Sequence, residues 1–250
     1  MVRTLLVRGM LLGILAGLLS FGFLKSYGEP QVDVAIAFET QMDLAKQAAE
    51  RAKGMPVAEE PELVSRKVQA GIGLFTAVMV YCTAFGGLFG LAFAFAYGRV
   101  PGAFTPQAVA LMLAAAGFVA VYLVPNLKYP ANPPSVGDPH TIGMRTALYF
   151  IMMAISIAAM IGAMAFKRLL VVRFGDWNAT VMVAAYYIVI VVAAGFLLPA
   201  VNEVPVDFPA VVLWKFRVAS IGAQFIMWAT FGVLFGVLAE RAFAGRKLWA

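Results

Sequence analysis

The sequence predicts an all-α fold: a polytopic integral membrane bundle of six transmembrane helices, forming a single domain over residues 1–250. Hydrophobic residues make up 62% of the chain and charged residues only 13%, whereas about a quarter of the residues in a typical soluble domain are charged. The apolar residues fall into runs of about 20, the length that crosses a hydrocarbon core of roughly 30 Å as a helix. The 19 basic residues outnumber the 13 acidic ones and gather beside these runs, which indicates topology signals in a lipid bilayer and no nucleic-acid partner.

Six runs are long enough to cross the membrane: residues 5–24, 70–97, 105–124, 146–166, 179–199 and 218–239. The first follows Arg3 and contains Arg8, as a secretory signal would, but no A-x-A cleavage site comes after it. Gly9, Gly13 and Gly17 recur within it at four-residue spacing, which is typical of a helix-packing face. We therefore expect a retained transmembrane helix.

Two of the runs leave alternatives open. Pro101 and Pro106 crowd the start of the third run, so a re-entrant segment there would leave five spanning helices. The second run is 28 residues long, more than a perpendicular helix needs. It therefore tilts, bends near Gly86 and Gly87, or projects beyond the lipid.

The charges of the loops predict the orientation. Six helices place both termini on one side, whose segments hold nine basic and two acidic residues, while the other side holds ten basic and eleven acidic residues. Positive charge in short flanking loops marks the cytoplasmic side. On the second side, six of the ten basic residues lie in one long connector, 25–69, which is itself rich in acidic residues, so they count little toward the orientation. We therefore predict cytoplasmic termini and place the connectors 25–69, 125–145 and 200–217 outside.

Two of these outer connectors resemble each other. Connectors 125–145 and 200–217 both follow or begin with a proline, contain further prolines and end in an arginine, Arg145 or Arg217, directly before an apolar run. This pattern suggests repeated helical hairpins, 105–166 and 179–239, although proline and arginine are also common at helix ends. Because prolines stiffen the backbone, we expect two ordered loops that pack together over the outer end of the bundle.

Connector 25–69 has a different pattern. From Val34 the apolar residues follow a helical spacing, and oppositely charged residues follow the same spacing one position later. This predicts an amphipathic helix over residues 34–53 that ends at Gly54-Met55-Pro56 and lies on the membrane surface or against the other loops.

The outer connectors also hold candidate metal ligands. Asp138 and His140 offer a carboxylate and an imidazole two residues apart, a combination that Co²⁺ and Ni²⁺ accept, and Glu203 and Asp207 are further carboxylates on the same face. The alternative is that these are solvated loop residues or helix caps. Arg145 and Arg217 either pair with a loop carboxylate or extend to the lipid headgroups.

Three stretches resemble a known family. "GEPQVDVAIAFE", "VPNLKYPANPPSVGDPHTIGMRTALYF" and "LWKFRVASIGAQFIMWATFGVLFGVLAER" are similar to signature stretches of the CbtA family, described as predicted cobalt-transporter subunits. The resemblance covers about residues 9 to 241. It implies a subunit in the bacterial inner membrane, linked to cobalt or cobalamin supply, that acts with CbtB, a small single-helix partner whose histidines are thought to bind the metal.

Two functions from different classes remain open. One is a subunit of a cobalt, or related divalent cation, transport system in which the outer loops capture the ion and a partner completes the path. The other is a structural or accessory subunit of a larger membrane complex. The apolar runs contain one charge, Arg8, and no histidine, which disfavours a self-sufficient ion path. Glycine faces such as Gly86-Gly90 and Gly232-Gly236 would dock partner helices. Enzyme motifs are absent, so we predict no catalysis.

Overall fold

The computed structural model describes residues 1–54, 64–99, 104–134 and 136–247. The described part is helical and contains no strand, which confirms the all-α prediction. Within these ranges, five helices are long and apolar enough to cross a membrane. They are α1 (Val2–Ala52), α2 (Arg66–Ala96), α3 (Pro106–Lys128), α4 (Ile142–Leu197) and α5, which starts at Ala210 and continues to Lys247.

Helix α1 includes the segment that the sequence predicted as a separate helix. The chain stays helical from Val2 to Ala52 through a π turn at Leu24–Gly28. In that turn the Glu29 N–H donates to the carbonyl of Leu24, so the hydrogen bonds are displaced just before Pro30, which has no N–H to donate. Whereas the sequence predicted an amphipathic helix that begins at Val34, the regular α-helix resumes at Glu29 after the π turn and runs to Ala52. It ends next to Gly54, at φ +68°; Met55 and Pro56 lie outside the described residues.

Helix α3 follows the third apolar run without a re-entrant turn. Thr105 caps its start, since the Thr105 hydroxyl accepts a hydrogen bond from the Ala108 N–H at 3.2 Å, and Pro106 occupies the first turn, where its missing N–H has no cost. The helix passes through a π turn at Phe118–Leu123 directly before Pro125 and reaches Lys128. Pro106 thus begins the helix and Pro125 lies within it, and neither breaks it; Pro101 lies outside the described residues.

Helix α4 consists of two arms that fold back on each other at Gly175. Gly175 has φ 75° and ψ 166°, a conformation that suits glycine. The Ser156 and Tyr187 hydroxyls, on different arms, lie 2.7 Å apart, and Lys167 and Asp176 form an ion pair at 3.0 Å next to the turn. The arms are therefore antiparallel, and α4 returns to the end of the bundle where it started.

The central core is packed from α1, α2, α3 and α5. Its most buried large side chains include Leu5, Phe93, Met227, Phe231 and Phe235. Phe93 and Phe235 stack edge to face with ring centroids 5.1 Å apart. These aromatic residues fill the middle of the bundle with apolar side chains.

Glycines bring α1 and α2 into direct backbone contact. A Cβ on Gly9 would lie 2.0 Å from the Gly86 carbonyl oxygen, and one on Gly13 would lie 2.3 Å from that of Cys82. In α5, a Cβ on Gly236 would lie 2.5 Å from the Cα of Gln107 in α3. The expectation that these glycine faces dock a partner helix is therefore wrong, because helices of the same chain already cover them.

Candidate functional site

Two loops meet at one end of the bundle. The first, residues 129–141, connects α3 to α4, and the second, residues 198–209, connects α4 to α5. The Tyr129 hydroxyl donates a hydrogen bond to the Pro199 carbonyl at 2.8 Å, and the Asp138 N–H donates to the Glu203 carboxylate at 2.8 Å. We call this pair the joined loops. They correspond to the two connectors that the sequence predicted to pack together.

Arg145 and Glu203 hold the joined loops together. The Nε atom of Arg145 lies 3.3 Å from the Glu203 carboxylate, and the two side chains are only 23% and 18% exposed. Because this Nε has no hydrogen-bond partner, the contact is an ion pair. The same guanidinium donates to the Asp138 carbonyl at 3.1 Å. Its Nη1 atom lies 2.6 Å from where a Cβ on Gly137 would be, and Gly137 has φ +117°, so this position requires glycine.

Arg217 fixes the first loop from α5. Its Nη2 donates to the Asn132 side-chain oxygen at 2.9 Å and its Nε donates to the Ala131 carbonyl at 3.3 Å. Arg145 thus pairs with a loop carboxylate, as one of the two explanations predicted, whereas Arg217 contacts the loop through the neutral oxygens of Asn132 and Ala131. Arg145 stands in the first turn of α4, whereas Arg217 lies further inside α5, so the two arginines occupy different depths.

The part of α1 that follows the π turn, from Glu29 onward, packs beside the joined loops. Ala35, Val136 and Phe208 are buried together in a small apolar cluster. The rings of Phe38 and Phe208 meet edge to face, with centroids 5.2 Å apart. This segment of α1 therefore lies against the loops through its apolar face.

A cavity of about 920 Å³ lies between the joined loops and the helix ends below them. Its charged lining residues are Glu39, Arg145, Glu203 and Arg217. Pro130, Pro133 and Pro139 contribute to the wall, which explains the prolines of the first loop, since they give the wall a stiff backbone.

The floor of the cavity carries a chain of neutral polar groups. The hydroxyls of Tyr122 and Ser220 lie 2.6 Å apart, and the Asn126 amide donates to the Tyr122 hydroxyl at 3.2 Å. All three residues line the cavity, and Tyr122 and Asn126 are buried. The floor therefore offers hydroxyl and amide groups within an otherwise apolar bundle.

The four predicted metal ligands are only partly brought together. Glu203 lines the cavity and accepts from the Asp138 N–H, while an Asp138 carboxylate oxygen accepts from the His140 N–H at 2.8 Å as a cap. His140 and Asp207 are exposed and do not line the cavity. Within residues 1–54, 64–99, 104–134 and 136–247, no group of three or more His, Cys, Asp or Glu side chains could hold a metal ion.

Hydrogen bonds to the Glu203 carboxylate favour its charged form. The neighbouring Thr141 hydroxyl, the Asp138 N–H and the positive charge of Arg145 together lower the pKa of Glu203 below its ordinary value of 4.5. Glu203 is therefore ionised at neutral pH and able to keep its ion pair with Arg145.

Two further carboxylates at the same end of the bundle as the joined loops are already paired. Arg66, at the start of α2, forms ion pairs with Glu29 and with Asp33 of α1, the latter at 2.9 Å. Lys25 donates to the Ala70 carbonyl at 2.9 Å. These contacts fix α1 to the start of α2 around the π turn of α1, so Glu29 and Asp33 have a structural role.

Tyr122, Asn126 and Ser220 of the cavity floor were not among the predicted site residues, whereas Arg217 beside them had been recognised as an arginine able to bind a loop. Tyr122 and Asn126 are four residues apart, and Arg217 and Ser220 are three apart, so each pair shares one face of its helix. Polar residues at this spacing inside an apolar run were the signal that could have identified them. Glu39 belongs to the predicted charged stripe of α1, but nothing in the sequence placed it at a cavity.

Comparison with known proteins identifies one family. A family model described as "Probable cobalt transporter subunit (CbtA)" matches residues 2–240, nearly the whole chain. No curated protein and no solved structure gives a match.

Proposed function

The chain belongs to the CbtA family of probable cobalt transporter subunits, and on this premise we propose that it is the membrane subunit in which the joined loops receive the cobalt cargo and a partner completes the path. The observation that carries the proposal is the cavity of about 920 Å³ between the two loops. Its wall is stiffened by prolines and fixed by the Arg145–Glu203 ion pair. A proline-walled cavity that presents a few charged and hydroxyl groups at one end of an apolar bundle suits capture.

The topology that we propose has six spans. The antiparallel arms of α4 each cross the membrane, with Gly175 at the turn between them. Arg99 and Lys167 belong to the end of the bundle that contains this turn, where Arg168 donates to the Arg99 carbonyl, and positive charge favours the cytoplasmic side. Both termini then lie in the cytoplasm and the joined loops face outward from the bacterial inner membrane.

A partner is needed because the interior offers no ionisable path. Apart from tyrosines and Cys82, the buried polar side chains among the described residues are Ser20, Glu29, Asn126, Ser156 and Thr230. Only Glu29 among them is ionisable, and it is paired with Arg66 near the outer end. Ion pathways need polar or ionisable groups along their length. We propose a small single-helix partner of the CbtB kind, packed outside the covered glycine faces.

The second candidate function is a non-transporting accessory subunit of a larger membrane complex. The observation that favours it is the aromatic packing of Phe89, Phe93, Phe231 and Phe235 in the centre of the bundle. A bundle closed in this way is a stable scaffold. In this reading the joined loops bind a protein and move no ion.

Two measurements on the native host separate the candidates. The first is the cobalt content of cells with and without the protein in metal-limited medium. The second is identification of the proteins that co-purify with the chain in mild detergent. Lower cobalt in the deletion strain, together with a small co-purifying membrane protein, supports the transport subunit. Equal cobalt, with loss of a larger complex, supports the accessory subunit.

A further inference from the structure

We infer that the cavity of the joined loops takes its cobalt as an anionic chelate, held by a carboxylate-bearing organic molecule, with Arg217 binding the carboxylate. This inference rests on the proposed function and names the chemical form of the cargo. Its starting point is size. A volume of about 920 Å³ falls within the roughly 300–1,000 Å³ of small-molecule sites, and a single divalent ion does not require such a space.

The second step is the charge balance of the lining. Among the described residues, four charged side chains line the cavity: Glu39, Arg145, Glu203 and Arg217. Arg145 and Glu203 neutralise each other at 3.3 Å, and Glu39, which makes a contact of its own, is the remaining carboxylate of the described lining. Arg217 binds only neutral oxygens, of Asn132 and Ala131, and forms no ion pair with any described carboxylate. The cavity therefore presents one guanidinium that is not in a direct ion pair with any described carboxylate.

The third step is the hydrogen-bonding capacity of that guanidinium. An arginine side chain carries five N–H donors in a fixed fork, and the two bonds of Arg217 leave the others without a partner among the described residues. A guanidinium matches the geometry of a carboxylate, which can accept two parallel bonds. The Tyr122 and Ser220 hydroxyls, which share a hydrogen bond on the same cavity floor, supply further polar contacts.

The fourth step is the scarcity of metal ligands. The described residues contain no group of three or more His, Cys, Asp or Glu side chains that could hold a metal, and the one predicted ligand in the lining, Glu203, is bound to Arg145 and Asp138. A bare Co²⁺ ion would find too few protein ligands here. A polycarboxylate chelate brings its own ligands and carries a net negative charge that suits Arg217.

Binding to the detergent-solubilised full chain tests the inference, with Co(II)–citrate, Co(II)–nitrilotriacetate and CoCl₂ as the probes. We expect saturable binding of at least one chelate and much weaker binding of CoCl₂. Arg217→Gln should lower chelate affinity about 10- to 100-fold, the loss expected for a charged hydrogen-bonding partner. Asn132→Ala is the matched control, since it breaks the loop contact of Arg217 but keeps the cation, and it should bind within about 3-fold of wild type.

A third variant keeps the test decisive if Arg217→Gln does not fold. Arg217→Lys keeps the positive charge without the fork and should retain weakened but measurable binding. The inference is overturned if neither chelate binds, if CoCl₂ binds as tightly as the chelates, or if Arg217→Gln and Asn132→Ala lose affinity equally. If one of these results is obtained and the deletion strain still contains less cobalt than wild type, only the inference fails. If the deletion strain also contains as much cobalt as wild type, the proposed function fails as well.

Discussion

The Nε atom of Arg145 lies 3.3 Å from the carboxylate of Glu203, although Arg145 lies in the first turn of the 56-residue helix α4 and Glu203 lies in the loop that follows its last turn. A straight helix of that length would hold its ends roughly 80 Å apart, at 1.5 Å per residue. The turn at Gly175 brings the ends together, and the ion pair then fixes one loop to the other. The geometry of the cavity thus depends on a glycine at the far end of the bundle.

The first prediction concerns the Arg145–Glu203 ion pair. Glu203→Gln removes the charge but keeps the shape of the side chain, so it should lower the thermal midpoint of the purified protein and loosen the joined loops. Asp207→Asn makes the same chemical change in the same loop, where the side chain is exposed, and should leave the midpoint unchanged. Thermal unfolding in detergent measures both. Equal midpoints for the two variants would contradict a structural role for the pair.

The second prediction gives the pH dependence of that pair. Because the folded protein lowers the pKa of Glu203 below 4.5, the unfolded chain binds more protons in the interval between the two pKa values, and stability rises with pH there. The stabilisation is fully present above about pH 4.5 and is lost as the pH falls through the folded pKa. The difference in thermal midpoint between wild type and Glu203→Gln should therefore be constant above this pH and shrink below it. A difference that grows on acidification would refute the assignment.

The third prediction concerns the contact between α1 and α2. Gly13→Ala places a Cβ 2.3 Å from the Cys82 carbonyl oxygen, and backbone atoms cannot move away at low cost, so we expect a loss of about 1–3 kcal/mol in the free energy of unfolding. Gly22→Ala is the control on the same helix, because its Cβ would meet nothing within 4 Å; its effect should stay within about 0.5 kcal/mol. Denaturation in mixed detergent compares them. Equal stability of the two variants would exclude close backbone packing.

The fourth prediction tests the six-span topology. Cysteines introduced at His140, Asp176 and Asp207 lie at the first loop, the Gly175 turn and the second loop. A membrane-impermeant maleimide should label the first and last in intact spheroplasts and the middle one only after permeabilisation. The native Cys82 is buried and serves as the unlabelled background. Labelling of His140→Cys and Asp207→Cys from opposite sides would mean that α4 crosses the membrane only once.

The apolar parts of the fold were predictable from the sequence because lipid imposes a simple rule on them. Every apolar run coincides with part of a helix, since backbone groups in hydrocarbon must bond within their own segment. The helical continuation past Pro30 was not predictable, because it depends on the π turn that displaces the preceding hydrogen bonds. The glycine faces were recognised as packing surfaces, but the pattern alone cannot say whether the partner lies in the same chain.

The sequence predicted where the candidate site lies, between two connectors, but it did not predict which side chains contact each other there. The prolines and charges indicated that the two connectors pack together, as the Tyr129 and Arg145 contacts show. The sequence could not tell whether Glu203 is free for a metal or paired with an arginine, because that depends on the distance between two loops. The metal ligand set of Asp138, His140, Glu203 and Asp207 stays a prediction for the free ion.

The most direct test of the account is the initial rate of ⁵⁷Co uptake by cells of the native host in metal-limited medium. The deletion strain should take up cobalt several-fold more slowly than wild type, a plasmid copy of the wild-type gene should restore the rate, and a copy carrying Gly22→Ala, where the added Cβ meets nothing within 4 Å, should restore it equally well. Uptake in the deletion strain equal to wild type, measured with the protein demonstrably present in wild-type membranes, would contradict a role in cobalt transport.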